Sequence, residues 1–268
     1  MIKFTFVTVT YNAQDVIERT TRSILSQTYP HIEHIIIDGA SKDSTFNKAQ
    51  AYQAQNALAS NGHEVVLRSE PDHGIYDAMN KGLAMATGQY VCFLNAGDSL
   101  PFPDTVGTIA ASAGLDDSVL AHTPLPAVLY GDTDIVDGNG SYLFRRRLSP
   151  PDVLTWRSFM QGMVVCHQAF YARTDIARTC PYNLSYKYSA DVDWCIHIMK
   201  EAEKRNLALK NVHATIVNYM QQGATTRHHK ASLKERFHIM AHYYGLPATI
   251  GLHLWFALRG VVMPRHVK

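Results

Sequence analysis

Residues 70–98 read EPDHGIYDAMNKGLAMATGQYVCFLNAGD, and this stretch decides the fold. It begins as a polar loop, and the apolar spacing after Gly74 predicts a helix that runs to a break at Gly88. Residues 89–94 then form a short, uncharged apolar run, the pattern of a buried strand. Asn95, Ala96, Gly97 and Asp98 follow at that strand's carboxyl end. In an open α/β sheet the ligand crevice lies just outside the carboxyl ends of the strands, so a carboxylate released there faces it. Such a carboxylate can hold a divalent cation against a diphosphate. The same tetrapeptide also serves ordinary turn chemistry, and its neighbours decide between the two readings.

Upstream, residues 4–10 alternate β-branched and aromatic side chains, and residues 16–26 carry apolar residues at helical spacing up to Tyr29-Pro30. Residues 34–37 are a second apolar run closed by Asp38-Gly39, and Ser41-Lys-Asp-Ser opens a helix with hydroxyl and carboxylate caps. A third strand is expected over 64–68. Strand and helix thus alternate four times in the first hundred residues, which predicts an α/β fold with a doubly wound, mainly parallel central sheet. Each strand delivers polar or acidic residues to one edge: Tyr11 and Asn12, Asp38, Glu70 to Asp72, and Asn95 to Asp98.

The second half is less regular. Residues 128–136 and 141–146, joined by Asp137-Gly-Asn-Gly, predict a β-hairpin. A break follows at Ser149-Pro150-Pro151, then a helix over 193–204 and an extended run over 213–219. Residues 230–244 predict a basic helix. Residues 246–263 are apolar but interrupted by Gly251, His253, Arg259 and Gly260, short of the ~20 apolar residues of a membrane span and closer to an interfacial helix.

The 268 residues, 46% hydrophobic and 18% charged, suffice for one sizeable core without staples. Cys92, Cys166, Cys180 and Cys195 form no C-x-x-C pair and read as reduced thiols. The first ten residues alternate with hydroxyls and lack a signal peptide's apolar core. Both features point to the cytoplasm. Residues 227–268 hold seven Lys/Arg against Glu235 alone, a net +6 that leaves −4 on the rest of the chain. A basic, partly apolar tail suits an anionic surface such as the inner face of a membrane. No basic stripe interleaved with aromatics runs through the body, so nucleic acid is not an expected partner.

Four segments in order, FVTVTYN (6–12), IIIDGASKD (35–43), GIYDAMNKG (74–82) and FLNAGD (93–98), resemble family 2 glycosyltransferases of the GT-A fold, in particular bacterial enzymes of capsule, exopolysaccharide and lipopolysaccharide assembly. The resemblance is strong to about residue 100 and weak in the tail. It implies a glycosyltransferase domain over 1–226, with 1–100 as the nucleotide-sugar half and 101–226 as the acceptor half, followed by a helical appendage over 227–268. It places Thr10, Tyr11 and Asn12 in the nucleotide pocket, Asp38 on the base, and Asp72 near base and ribose. Asn95 and Asp98 stand at the ends of the family's Asp-x-Asp metal motif, here one residue longer and with Asn for the first Asp. The implied Mg²⁺ or Mn²⁺ therefore falls chiefly to Asp98, with Asn95, Ala96 and Gly97 alongside the donor. Ala190-Asp191-Val-Asp193-Trp194 resembles the family's Glu-Asp-x-x-Trp segment, which makes Asp191 the general base on the acceptor hydroxyl. Asp191 could instead cap a helix, and Asp193 is the alternative base.

Lys81 is a candidate for phosphate, or a solvated lysine. Asp132 in Tyr130-Gly-Asp132 matches a segment beside the family's acceptor cleft or is strand-end turn chemistry, and His167 with Gln168 matches a family segment that implies acceptor binding or packing near it. Arg227 and His228 lie where related enzymes carry a loop over the diphosphate. The expected partners are a nucleoside diphosphate sugar and a polyprenyl-diphosphate-linked glycan acceptor. Two other classes remain open: a non-catalytic scaffold of a polysaccharide assembly, suggested by Asn95 and Ala190, and a sugar-phosphate nucleotidyltransferase, which Tyr11-Asn-Ala-Gln-Asp15 disfavours because it offers no Gly-rich phosphate loop.

Overall fold

The structure is a computed structural model that describes residues 1–112, 124–221 and 229–262. Four strands, β1 (Phe4–Thr10), β2 (Ile32–Asp38), β3 (Glu64–Ser69) and β4 (Tyr90–Phe93), pair in parallel in the order β3-β2-β1-β4. Helices α1 (Ile17–Leu25), α2 (Thr45–Leu58) and α3 (Ile75–Met85) make the crossovers. β1 and β2 are buried along their whole length, which is why they read as near-continuous apolar runs. The parallel sense sends all four carboxyl ends to one edge, as the sequence predicts.

Beyond β4 the sheet changes direction. β7 (Phe170–Arg173) lies antiparallel between β4 and β5 (Val128–Val136), and β5 pairs with β6 (Tyr142–Arg145) as the expected hairpin, with Ile135 opposite Phe144. β8 (Leu209–Met220) runs parallel to β5. It begins four residues before the extended run expected from sequence, because Leu209 and Lys210 find partners in Val128 and Leu129. Among the described residues the remaining helices are α4 (Thr105–Ser112), α5 (Thr174–Thr179), α6 (Ala190–Lys204), α7 (His229–Tyr244) and α8 (Leu246–Val262). α6 starts three residues earlier than the periodicity suggests, so Asp191 sits in its first turn.

Two devices fix the site's end of the sheet. Tyr52 donates to His34 Nδ1, His34 Nε2–H donates to Thr8 Oγ1, and Thr8 donates to the Leu94 carbonyl, with separations of 2.9, 2.9 and 2.7 Å. Burial pushes the His34 ring down to about 3, which keeps it neutral as this chain of bonds requires. On the other face, Gly82 lets α3 lie directly on β1: a Cβ there would stand 2.3 Å from Val7 Cγ1.

α7 is not set apart from the body. The Glu235 carboxylate accepts the backbone N–H groups of Lys187 and Tyr188, both at 2.8 Å, and Tyr244 stacks on Trp156 at 5.4 Å while its hydroxyl donates to the Trp156 carbonyl. The charge count over residues 227–268 gives no sign of this docking, since the residues that anchor the helix are scattered singly among its basic ones.

Candidate active site

A cavity of about 300 Å³ opens where the carboxyl end of β4 meets the first turn of α6. Asn95, Ala96 and Asp98 line it from the turn after β4, Tyr76 from α3, His167 and Gln168 from the 3-10 turn before β7, Tyr219 and Met220 from β8, Asp191 from α6 and Arg236 from α7. The expected donor-side carboxylate and the expected base thus face the same space, although 92 residues separate them in sequence.

Asp191 is placed by a column of rings. Tyr76, Tyr182 and Trp194 stack face to face at 5.4 and 5.0 Å, with Phe93 edge-on to Trp194, and together they form the floor beneath the α6 N-terminus. The Tyr76 hydroxyl donates to Asp191 Oδ1 at 3.3 Å, and His167 Nδ1 lies 3.3 Å from Oδ2. The side chain keeps 15% exposure, enough for an incoming hydroxyl to reach it. Burial pushes its carboxyl up, but the His167 hydrogen bond and charge, with Arg236, outweigh this and hold it below the usual carboxylate range. Asp191 is therefore ionised and ready to accept a proton. The helix N-cap is Ser189, not Asp191. Asp193, the alternative base, points elsewhere: it is 9% exposed, bonds Tyr243 on α7 and does not line the cavity.

Asp98 is 4% exposed. Its Oδ1 accepts the Met220 N–H and its Oδ2 the Gln168 side-chain N–H, both at 2.9 Å. Gly97 makes the turn that brings it there, with φ +100° and with Met220 Cε only 2.5 Å from where a Cβ would stand. Burial pushes the Asp98 carboxyl up to about 6 against these two donors and the charges of His167 and Arg19. Each oxygen has one donor and so keeps acceptor capacity, which fits a hard cation completed by substrate phosphates and water. Among the described residues no three His, Cys, Asp or Glu converge as a self-sufficient metal cage, so the fit is to a cation shared with a diphosphate.

The residues expected on the nucleoside side gather further along the same edge, outside the cavity lining. Asp38 is buried and accepts Ser41 N–H, Ser41 Oγ–H and Ser69 Oγ–H, which organises the loop after β2. Asn12, at φ +48°, accepts the Lys42 N–H and donates its own to Ser41 Oγ. A Cβ at Gly39 would stand 2.4 Å from Asp72 Oδ2 and 3.4 Å from the Tyr11 ring, so Asp72 and the exposed Tyr11 flank bare backbone. Thr10 Oγ1 is buried there without a hydrogen-bond partner.

Three of the expected site residues are held by protein partners. Lys81 does not turn toward a phosphate site: its ammonium bonds the Pro71 carbonyl at 2.8 Å and pairs with Glu70 and Asp77, so it braces the loop that carries Asp72. Asp132 pairs with Arg145 on the β5–β6 hairpin and is not among the cavity's lining residues. Gln168 is 1% exposed and donates to Asp98 Oδ2 at the cavity wall. Arg227 and His228 lie outside the described residues. Sequence reading missed Tyr76, although it sits inside the GIYDAMNKG motif, and Arg236, for which a lone arginine in a basic helix gives no signal. Arg146 lines the cavity while its guanidinium binds the Leu148, Met163 and Val164 carbonyls.

A parallel β3-β2-β1-β4 half joined through an antiparallel β7 to a second half, with carboxylates at the junction, is the GT-A arrangement. Residues 5–174 match Glycosyl transferase family 2. A PGL/p-HBAD biosynthesis glycosyltransferase of Mycobacterium bovis (strain BCG / Pasteur 1173P2) is 31% identical over 226 residues, covering 82% of this chain and 77% of the relative. The chain belongs to glycosyltransferase family 2. S. aureus TarS 1-349 shares its fold with TM-score 0.65 at 15% identity, over 100% of this chain and 76% of that one. The same TarS fragment has been solved with UDP-GlcNAc, at TM-score 0.63, 14% identity and the same coverage of 100% and 76%. The mannosyltransferase PcManGT from Pyrobaculum calidifontis, in complex with GDP-Man and Mn²⁺, aligns with TM-score 0.55 at 15% identity, over 97% of this chain and 76% of its own.

Proposed function

We propose that this glycosyltransferase moves a sugar from a nucleoside diphosphate sugar to a hydroxyl of a glycan acceptor used in building a cell-surface polysaccharide, with inversion at the anomeric carbon. The observation that carries the reading is the single cavity faced by Asp98 and by an ionised Asp191. Asp191 takes the proton of the acceptor hydroxyl as its oxygen attacks the anomeric carbon from the side opposite the departing diphosphate. Tyr76 and His167 hold the carboxylate in place for that transfer. Asp98 would hold Mg²⁺ or Mn²⁺, which when bound offsets the charge that develops on the diphosphate. The base and ribose would lie along Tyr11, Gly39 and Asp72. Names of relatives support a nucleotide-sugar donor and a surface glycan: TarS with UDP-GlcNAc, PcManGT with GDP-Man and Mn²⁺, and a mycobacterial enzyme of PGL/p-HBAD biosynthesis.

The acceptor would be lipid-linked and met at a membrane surface. Among the described residues no helix is long and apolar enough to cross a membrane. α8 instead exposes Leu246, Ile250 and Leu254 at helical i, i+4, i+8 spacing beside Trp255, an apolar stripe next to a basic helix that suits the interface of an anionic leaflet.

A thermal-shift screen of UDP-, GDP-, dTDP- and CMP-sugars with and without Mn²⁺ tests the donor assignment. One nucleotide class is expected to stabilise the protein by about 2.7 kcal/mol at a hundredfold excess over Kd, and only with the cation present. No shift with any donor would overturn the reading and favour a non-catalytic scaffold.

A further inference from the structure

Two cations line the cavity on its Asp191 side, Arg236 from α7 and Lys187 from the loop that leads into α6. Glu235, the neighbour of Arg236, brings them together, since its Oε1 accepts the Lys187 backbone N–H at 2.8 Å. Among the described residues neither cation closes an ion pair. The Arg236 Nε–H is moreover buried with no hydrogen-bond partner. Asp191 does not meet that need. Its Oδ1 accepts the Tyr76 hydroxyl and its Oδ2 faces His167, so it interacts with Arg236 through charge alone. A buried donor on a side chain that stays charged at every working pH is costly until an acceptor reaches it. Arg146 adds a third cation, held by backbone carbonyls, and the only acidic side chains it shares the lining with are Asp98 and Asp191.

We propose that Arg236 and Lys187 form an oxyanion subsite for the acceptor, so that the sugar whose hydroxyl meets Asp191 carries a carboxylate or a phosphate beside that hydroxyl. The proposal rests on Asp191 as base and adds the charge of the acceptor to that reading. A guanidinium presents a planar fork to two oxygens of either group, and the ammonium of Lys187, exposed at the mouth, adds a point charge. The donor's diphosphate belongs to the other side of the cavity, at Asp98, where the neighbouring charges are those of His167 and Arg19. A neutral acceptor would leave the Arg236 Nε–H unpaired in the closed site. Selection against a ligand that leaves a buried polar group unsatisfied is stronger than selection by fit alone. α7 thus supplies specificity to a site whose base stands on α6, and the Glu235 contact holds the two in register.

Three probes that share one ring test it: methyl glucoside, methyl glucuronide and phosphorylated methyl glucoside, each titrated into the full chain by ligand-observed NMR. An anionic probe is expected to bind at least about tenfold more tightly than the neutral glucoside. Arg236→Gln and Lys187→Gln should each lose most of that preference. Preference for the glucuronide assigns an acidic sugar to the subsite, and preference for the phosphate assigns a phosphorylated acceptor. Equal binding of all three probes, no binding of either anion, or a preference that survives in both variants would overturn the proposal. Nucleotide-sugar affinity, measured by calorimetry on the same proteins, separates the two sources of phosphate. It should stay near the wild-type value, and its loss in Arg236→Gln with the probe preference intact would give the pair to the donor's diphosphate. Lys187→Gln keeps the test decisive if Arg236→Gln does not fold, because the backbone of Lys187 and not its side chain binds Glu235. Failure of the wild type to bind any nucleotide sugar would instead overturn the glycosyl-transfer reading, and the donor titration reports that separately from the anion preference.

Discussion

Replacing Asp191 by Asn is expected to lower kcat by about 10³-fold while donor affinity stays near the wild-type value. The carboxamide has the same shape and can still accept the Tyr76 hydroxyl through its oxygen, so the ring column under the α6 N-terminus keeps its packing. What it cannot do is take a proton from the acceptor hydroxyl. The donor-side groups, Asn95 and Asp98, come from a different element and keep their own partners, Met220 and Gln168 in the case of Asp98. Initial rates with donor and acceptor, together with calorimetric titration of donor alone, separate the two effects. Turnover near wild type would remove Asp191 from the chemistry, and a loss of donor binding would mean the site had rearranged. Asp193→Asn is the matched control, because Asp193 contacts Tyr243 and not the cavity, and its turnover should stay close to wild type.

Asp98→Asn is expected to reduce kcat/KM by about 10²-fold and to abolish the response to Mn²⁺ or Mg²⁺. Asparagine can still accept the Met220 N–H, so the turn at Gly97 survives, but the negative charge is gone. The wild type should also show a pH signature that the variant lacks. Burial raises the Asp98 carboxyl to about 6, so it is ionised above that value and takes up a proton as pH falls through it. Cation-assisted donor binding is therefore present above about pH 6 and lost below it, and a saturating cation, by favouring the carboxylate, moves the loss to lower pH. Donor affinity measured from pH 5 to 8 with and without Mn²⁺ tests this. An Asp98→Asn enzyme that keeps the wild-type cation response would place the cation elsewhere.

The parts of the fold that sequence made legible are those whose own residues carry enough pattern to announce them. β1, β2 and β4 are parallel strands buried along their length, so runs such as Ile35-Ile-Ile37 announce them, β3 is a half-exposed edge strand, and each is closed by the polar residues that reach the carboxyl edge. The β5–β6 hairpin is likewise written into its own turn. β7 was not legible: four residues give too little pattern, and its place between β4 and β5 depends on partners about 40 to 80 residues away. The site divides in the same manner. Asp98 and Asp191 are marked by strand-end and motif context, whereas the placement of Lys81 depends on a loop carbonyl and two acidic residues that only the folded chain brings to it. Arg236 reaches the cavity because Glu235, its neighbour, ties α7 to the backbone of Lys187 and Tyr188, a contact that charge counting over residues 227–268 reads as nothing more than one acid among seven bases.

The most direct test of the account is the stereochemistry of transfer, read by proton NMR of the product while the reaction runs with an α-linked nucleoside diphosphate sugar and Mn²⁺. A carboxylate that activates the acceptor on the face opposite the diphosphate produces the β-linked product from the first turnover. A product that keeps the α configuration would require attack from the donor's own side and would contradict the role given to Asp191.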